Sequence, residues 1–464
     1  MRVLRIAPIV LALGLAAAQA SAHVTATPPN VNVSNLQGPQ TNATITIDPN
    51  NPKVLLAGSN SVFEGTQRVY SSLDGGSTWH SSITIPPAAE LASACPSDPG
   101  LAIDLTGRQY YSYDVATPCN AQGSSHIYVL TRPNATAAWS DPILVARLGR
   151  ARFDDKPAIA VDASPSSPHR NRVYVAWTRV ARNTSSTIVI SSSDDGGRHW
   201  TAPVAVPRRS GDDLTYASVA TGRQGDVYVA WTDQSRYGVR VARSVDGGRH
   251  FGPEVDAAAF SIIPIPHCGI GIVVPAEPRS CIQANPTVAV DTTRGRYAGR
   301  VYVGYTGTNY TGDEGAALTT FDRKLHPLAG YPTLGGKHRL IAPTPRRTRP
   351  DQFWAQYAVD RSSGALWACF YDTSGDPNGK KAWYSCTASR DGGRTWPRPV
   401  RVASAFSDET QPGAAYQYGY YQGLAVANGV AHPIWTDTRH LDTAGEEIYT
   451  ARLAVADVPA PANR

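Results

Sequence analysis

The sequence predicts an all-β protein built as a seven-bladed β-propeller, and three observations carry that prediction. A phrase of four short apolar stretches recurs along the 464 residues, at a period of roughly fifty residues, the spacing of propeller blades. Each stretch alternates or is β-branched and is bounded by Gly, Pro, Asn or Asp, as strands are. The last copy stops one strand short, while a spare alternating stretch precedes the first. A six-bladed ring is the alternative, if the degenerate second copy is an insertion.

The elements follow in chain order. Residues 1–22 read as a signal peptide: Arg2 and Arg5, an apolar run from Ile6 to Ala18, then a small-residue cleavage site at Ala20–Ala22. The run is too short to span a bilayer. The expectation is a secreted protein, periplasmic or extracellular, with the propeller over 23–458 and a disordered tail over 459–464. "NVNVSN" (Asn30–Asn35) is the spare strand, expected to pair beside "EEIYTARLAV" of the last copy and close the ring. Copy one runs from "ATITIDP" to "SSITIP", and copy two holds "GLAID", "QYYSYD" and "IYVLTRPNATAAW". Copy three is the clearest, with "KPAIAVD", "RVYVAWT", "TIVISSSDDGGRHW" and "APVAVP". Copy four repeats it between Tyr216 and Ala257, copy five opens with "NPTVAVD" and "RVYVGYT", and copy six spans Phe353–Ala403. Copy seven holds "YQGLAVA", "AHPIWTD" and "EEIYTARLAV". No helix is needed.

Four copies share a turn between their third and fourth strands, of which "RSVDGGRHF" is one, centred on Asp74, Asp195, Asp246 and Asp391. Its Ser-x-Asp-x-Gly-x-x-aromatic spacing resembles the Asp-box, or BNR repeat, of secreted bacterial propellers in the sialidase-like superfamily. An Asp that accepts backbone N–H groups, glycines with positive φ and an aromatic between sheets describe a structural clasp. The resemblance implies that the boxes lie on the face opposite the active site. In copy two Asn134 takes the Asp slot, and in copy five the position reads "TFDRKLHP".

Composition narrows the partners. Without Arg2 and Arg5 the formal charge falls from +6 to +4, with no basic stripe beyond the short "PRRTRP", which excludes a nucleic-acid partner. No later segment is apolar enough to cross a membrane, and a monomer is expected. Six cysteines in a secreted chain imply three disulfides among fifteen connectivities. Spacing favours the neighbours Cys95–Cys119, Cys268–Cys281 and Cys369–Cys386. No metal-ligating cluster stands out, and no cofactor is expected; a carboxylate-rich rim holding Ca²⁺ is the one open metal reading.

The site is expected where loops before first strands and after second strands meet over the channel. Those loops carry Asn42, Asp154–Asp155–Lys156, Tyr216, Asn285, Asp351–Gln352 and Tyr420–Tyr421, with Asn60, Asp114, Arg179, Asp233–Arg236, Asn309, Asp372 and Asp437–Arg439. Such a polar and aromatic ring suits a glycan or polysaccharide. The sialidase resemblance implies a Tyr nucleophile assisted by Glu, an Asp acid/base and three arginines for a substrate carboxylate. Its candidates are Tyr420 or Tyr421, Glu409 or Glu314, Asp154 or Asp155, and Arg152, Arg179 and Arg439, with Asp351, Asp372 and Asp437 as further sugar ligands. The Arg-Ile-Pro motif of sialidases has no counterpart in "NATITIDPNNP". Three readings stay open: an exo-acting, sialidase-like glycoside hydrolase, a non-catalytic propeller binding carbohydrate or protein, and a polysaccharide lyase.

Overall fold

The structure is a computed structural model that describes residues 27–84, 94–119, 123–149, 151–182, 185–207, 213–260, 271–308, 314–328, 350–414 and 418–460. The leader 1–22, Cys268, Asn309, Tyr416 and residues 461–464 lie outside the described residues.

Seven sheets form the blades of the propeller. Blade three runs Ala151–Val161, Val173–Ala181, Ser186–Ser193 and Val204–Ala205, from the axis outwards. The stretch "VYVAW" of its second strand is a continuous apolar run because both faces of the blade are covered. Val173, Val175 and Trp177 pack towards blade two, while Tyr174 and Ala176 pack towards blade four. Each such side chain contributes about 1.5–3 kcal/mol when fully buried. The second copy is a true blade, with strands Cys95–Ile103, Gln109–Thr117, Ser124–Arg132 and Ile143–Leu144, so the ring has seven members and not six.

The expected closure is present. Asn30–Asn32 pairs antiparallel with Glu447–Ala451, in the register Asn30↔Ala451, Val31↔Thr450 and Asn32↔Tyr449. The last blade is thus made from both ends of the chain. An extra hairpin, Ile272–Val274 with Glu277–Ile282, lies between blades four and five in sequence.

The four Asp-boxes repeat one hydrogen-bond pattern. In the first, Asp74 Oδ1 accepts the N–H groups of Ser77 and Thr78 at 2.9 and 3.0 Å and the Ser72 hydroxyl at 2.8 Å. The Gly76 N–H reaches the Ser72 hydroxyl at 2.9 Å, and the Trp79 indole N–H donates to the Gly76 carbonyl at 3.2 Å. The carboxylate and serine bonds recur at Asp195, Asp246 and Asp391, and the indole bond at Trp200 and Trp396, while the Asp246 box has Phe251 in the aromatic place. All eight box glycines have φ between 72° and 88°, where a β-carbon is disfavoured. A β-carbon on Gly197 of blade three would stand 2.8 Å from Thr131 Cγ2 of blade two. Each box therefore closes its own turn and fits against the preceding blade. Asn134 performs the same capping in blade two, accepting the Thr136 and Ala137 N–H groups at 3.0 Å each.

Two expected disulfides, Cys95–Cys119 and Cys369–Cys386, are formed, with Cα atoms 5.2 and 4.1 Å apart. Cys281 is also disulfide-bonded.

Candidate functional site

The first strand of each blade runs along the axis, and in five blades it carries a bulge at the same place. The register slips between Thr41 and Thr44, Ser97 and Gly100, Asp155 and Ala158, Thr215 and Ser218, and Phe353 and Gln356. The residues at these bulges, Asn42, Asp98, Lys156, Tyr216 and Trp354, have φ between 51° and 55°. Asn285 holds the equivalent place before its strand with φ 32°. Asn and Asp tolerate this left-handed region, but Lys, Tyr and Trp enter it only under constraint, at about 1–3 kcal/mol each. Bulges re-aim side chains, and strain of this kind gathers at functional sites.

The bulge residues converge on Tyr420. Its N–H donates to Asn42 Oδ1 at 2.8 Å, and its carbonyl accepts the Asn285 side-chain amide at 2.5 Å. Its ring meets Trp354 edge-on at 6.1 Å, and the Lys156 ammonium lies 5.8 Å from the ring centre. The residue is 40% exposed. Tyr420 is held by its backbone over the channel mouth while its ring stays accessible.

Beside it lies a group of protonatable side chains. Carboxylate oxygens of Asp98, Asp114 and Asp155 fall within 4.8 Å of one another. Lys156 Nζ is 2.8 Å from Asp155 and 3.9 Å from Asp98, so an ammonium stands among these carboxylates. Asn42 donates to Asp98 at 2.8 Å, and the Ser97 hydroxyl donates to Asp114 at 3.0 Å. Burial pushes the Asp98 carboxyl up to about 6, against the pull of Lys156 and with Asp155 adding to the rise. Burial, with Asp98 and Asp155, lifts Asp114 well above the carboxylate range. Burial works against the Lys156 charge, yet Asp155 and Asp98 outweigh it and raise its pKa well above the ordinary value. The Tyr421 hydroxyl is buried without a hydrogen-bond partner among the described residues, and burial followed by Asp98 holds its proton firmly. A cavity of 260 Å³, lined from all seven blades, contains Lys156 and Tyr421 in its wall.

No protein-family model and no curated protein sequence matches this chain. Among solved structures it is similar to the Hadza microbial sialidase Hz136, at 13% identity and a TM-score of 0.53, over 93% of this chain and 69% of that one. The fold is a sialidase-like propeller. A Trypanosoma rangeli sialidase is similar at 12% identity and TM-score 0.47, over 90% of this chain and 75% of that one. A Dyadobacter fermentans protein of unknown function is similar at 12% and 0.48, over 92% and 99%.

This sialidase-like propeller distributes the expected site residues unevenly. Tyr420, Tyr421 and Asp155 meet at the mouth, together with Asn42, Asp114, Lys156, Tyr216 and Asn285. Asp154, next to Asp155 on the same strand, is instead committed to a buried pair, its carboxylate taking the Arg179 guanidinium at 2.8 and 2.7 Å. Arg439 is the register clamp of the last blade: it holds Asp437 at 2.8 and 2.7 Å, Asn30 at 2.9 Å and Ser404 at 3.0 Å. Arg152 is exposed on the first strand of blade three. Arg179 and Arg439 are each committed to an aspartate of their own blade. Asp372 caps its turn through the Ser374 N–H at 2.7 Å, and the Asp351 N–H donates to the Thr373 hydroxyl at 2.9 Å. Asp437 also accepts the Trp435 indole at 2.8 Å.

Glu409 departs from its expected pairing with Tyr420 or Tyr421. It is buried, neither carboxyl oxygen has a hydrogen-bond partner among the described residues, and burial with Glu446 and Glu277 raises its pKa well above the usual range. The phenols that feel its charge are Tyr418 and Tyr371, both buried, whereas Tyr421 feels Asp98, Tyr216, Asp155 and Asp114.

Sequence reasoning overlooked Asp98, Trp354 and Glu277. Asp98 carried a signal: Asp98-Pro99, Lys156-Pro157 and Asn285-Pro286 place Pro after the bulge residue in three copies. Glu277, from the extra hairpin, accepts the Trp354 indole at 2.8 Å, and burial pushes its carboxyl up to about 8. Arg279 of the same strand donates to the carbonyls of Glu409 and Ala414, so the hairpin braces the mouth from the side of blades six and seven.

Proposed function

We propose that this is a secreted, glycan-directed propeller that takes an uncharged sugar residue at the mouth around Tyr420, with Asp98 as proton donor for glycoside cleavage. One observation carries the reading: an exposed aromatic ring is pinned over the axis by Asn42 and Asn285, beside a carboxyl whose pKa lies near neutrality. Aromatic faces stack on pyranose rings, and asparagine amides suit hydroxyl groups. A protonated Asp98 near the salt-bridged Asp155 supplies the acid and the carboxylate that glycoside cleavage uses, about 5–5.5 Å apart in retaining enzymes. With Asp98 and Asp114 holding their protons and the Lys156 ammonium already paired to Asp155, the mouth favours an uncharged sugar over an anionic one. Disulfides suit the oxidising compartment that a secreted protein meets.

The test is a panel of fluorogenic glycosides carrying neutral, amino and sialyl sugars, run beside a glycan array. Turnover of a neutral glycoside that drops at least ~10²-fold in Asp98→Asn supports the reading. Array binding without any turnover points to a non-catalytic lectin-like role. Turnover of sialosides alone, or a protein inert in both assays, sinks it.

A further inference from the structure

The Asp-box face of the same channel has a second mouth, with different chemistry. It is framed by the turns between first and second strands. In five blades the leading Asp of that turn accepts the N–H two residues on: Asp48, Asp104, Asp162, Asp291 and Asp360, at 2.8–3.1 Å. These carboxylates are thereby engaged with their own backbone. A cavity of 390 Å³ opens between the turns, lined by residues of blades one to six, so it lies on the axis.

Three arginines from consecutive blades stand in its wall: Arg223, Arg294 and Arg361. Arg361 reaches across the axis to the Ala163 carbonyl of blade three. Burial lowers its pKa, and Asp162 offsets this only in part, so the cation is short of a counter-charge. The Arg223 and Arg294 guanidiniums have no hydrogen bond or ion pair among the described residues. The Ser164 hydroxyl donates to the Arg223 carbonyl at 2.8 Å, which fixes the backbone from which that side chain springs. Guanidinium forks match oxyanions in geometry and form the stronger, charge-assisted class of hydrogen bond.

We propose that this second mouth binds an oxyanion group, phosphate, sulfate or carboxylate, through Arg223, Arg294 and Arg361. The group is either a free inorganic anion or is carried on an acidic glycan. The site is independent of the sugar mouth on the opposite face. Binding weakens as salt rises, because screening reduces the attraction between the guanidiniums and the anion.

Titration calorimetry at fixed ionic strength tests this with two probes, inorganic phosphate and a sulfated heparin tetrasaccharide. Saturable phosphate binding identifies a free anion, and saturation by the tetrasaccharide alone identifies a glycan-borne one. Either must weaken about tenfold or more in Arg294→Gln, and further in the Arg223→Gln/Arg294→Gln double variant, the scale of losing a charged hydrogen bond. Arg294 is exposed, so its variant is expected to melt as the parent does. A parent that binds neither probe, or a double variant that binds as tightly as the parent, overturns the proposal.

Discussion

Gly248 of the fourth blade lies against Tyr174 of the third: a β-carbon on the glycine would stand 3.2 Å from Tyr174 Cε1, at φ 83°. The Asp-box therefore acts at a joint between blades. Its carboxylate, held down to about 2 by hydrogen bonds from His250 and Ser244 against the cost of burial, orders the turn that delivers this contact.

Asp246→Ala is expected to lower stability by about 1–3 kcal/mol, since the Arg249 and His250 N–H groups and Ser244 lose their acceptor. Ligand affinity on the opposite face stays unchanged. Chemical denaturation and glycan binding measured together check this; weaker binding with unaltered melting would give the box a direct functional role.

Removal of residues 27–35 strips the outer strand from Glu447–Ala451 and leaves Arg439 without Asn30. A much lower melting temperature with aggregation is expected, because the exposed strand edge then offers itself to other chains. Light scattering during a thermal ramp decides it, and a monomeric, equally stable product would mean that the ring closes without this strand.

Tyr421→Phe separates catalysis from packing. Its buried hydroxyl has no partner among the described residues, so deleting it is expected to leave stability unchanged or slightly raised. If the phenol serves the reaction, turnover of the responsive glycoside falls by at least ~10²-fold. Unchanged turnover assigns Tyr421 to the cavity wall and leaves Tyr420 as the aromatic contact.

Glu277 makes stability depend on pH in an unusual sense. Its folded pKa, about 8, lies above the ordinary 4.5, so between these values the folded state holds a proton that the unfolded chain has released. Stability from this group is full below about pH 4.5 and declines as pH rises to 8. Glu277→Gln keeps an acceptor for the Trp354 indole and is expected to flatten that decline. Melting temperatures from pH 5 to 8 for both proteins test it; parallel curves would refute it.

The blade phrase made the fold legible because each strand is covered on both faces, as "VYVAW" of blade three is. Closure was legible too, since a missing strand at one end matched a spare one at the other. The site was legible only by position. Tyr420, Tyr421 and Asp155 fall in the loops that reach the mouth, but a bulge appears only once the partner strand sets the register, so Asp98 and Trp354 stayed hidden. Arg179 and Arg439 were ambiguous in the sequence for a physical reason. An arginine after a strand is equally suited to a substrate carboxylate and to the aspartate beside it, and here the aspartate is nearer.

The last blade, assembled from Asn30–Asn32 and the strands Gly423–Ala427, Val430–Asp437 and Glu447–Ala451, carries a consequence for synthesis. The strand Asn30–Asn32 is made well before the strand it pairs with. Until about four hundred intervening residues have emerged, the early strand has no partner and the growing arc has two raw edges. A nascent chain halted before Glu447 is thus predisposed to join a second such chain edge to edge, so whatever shields those edges during biogenesis sets the yield of closed rings.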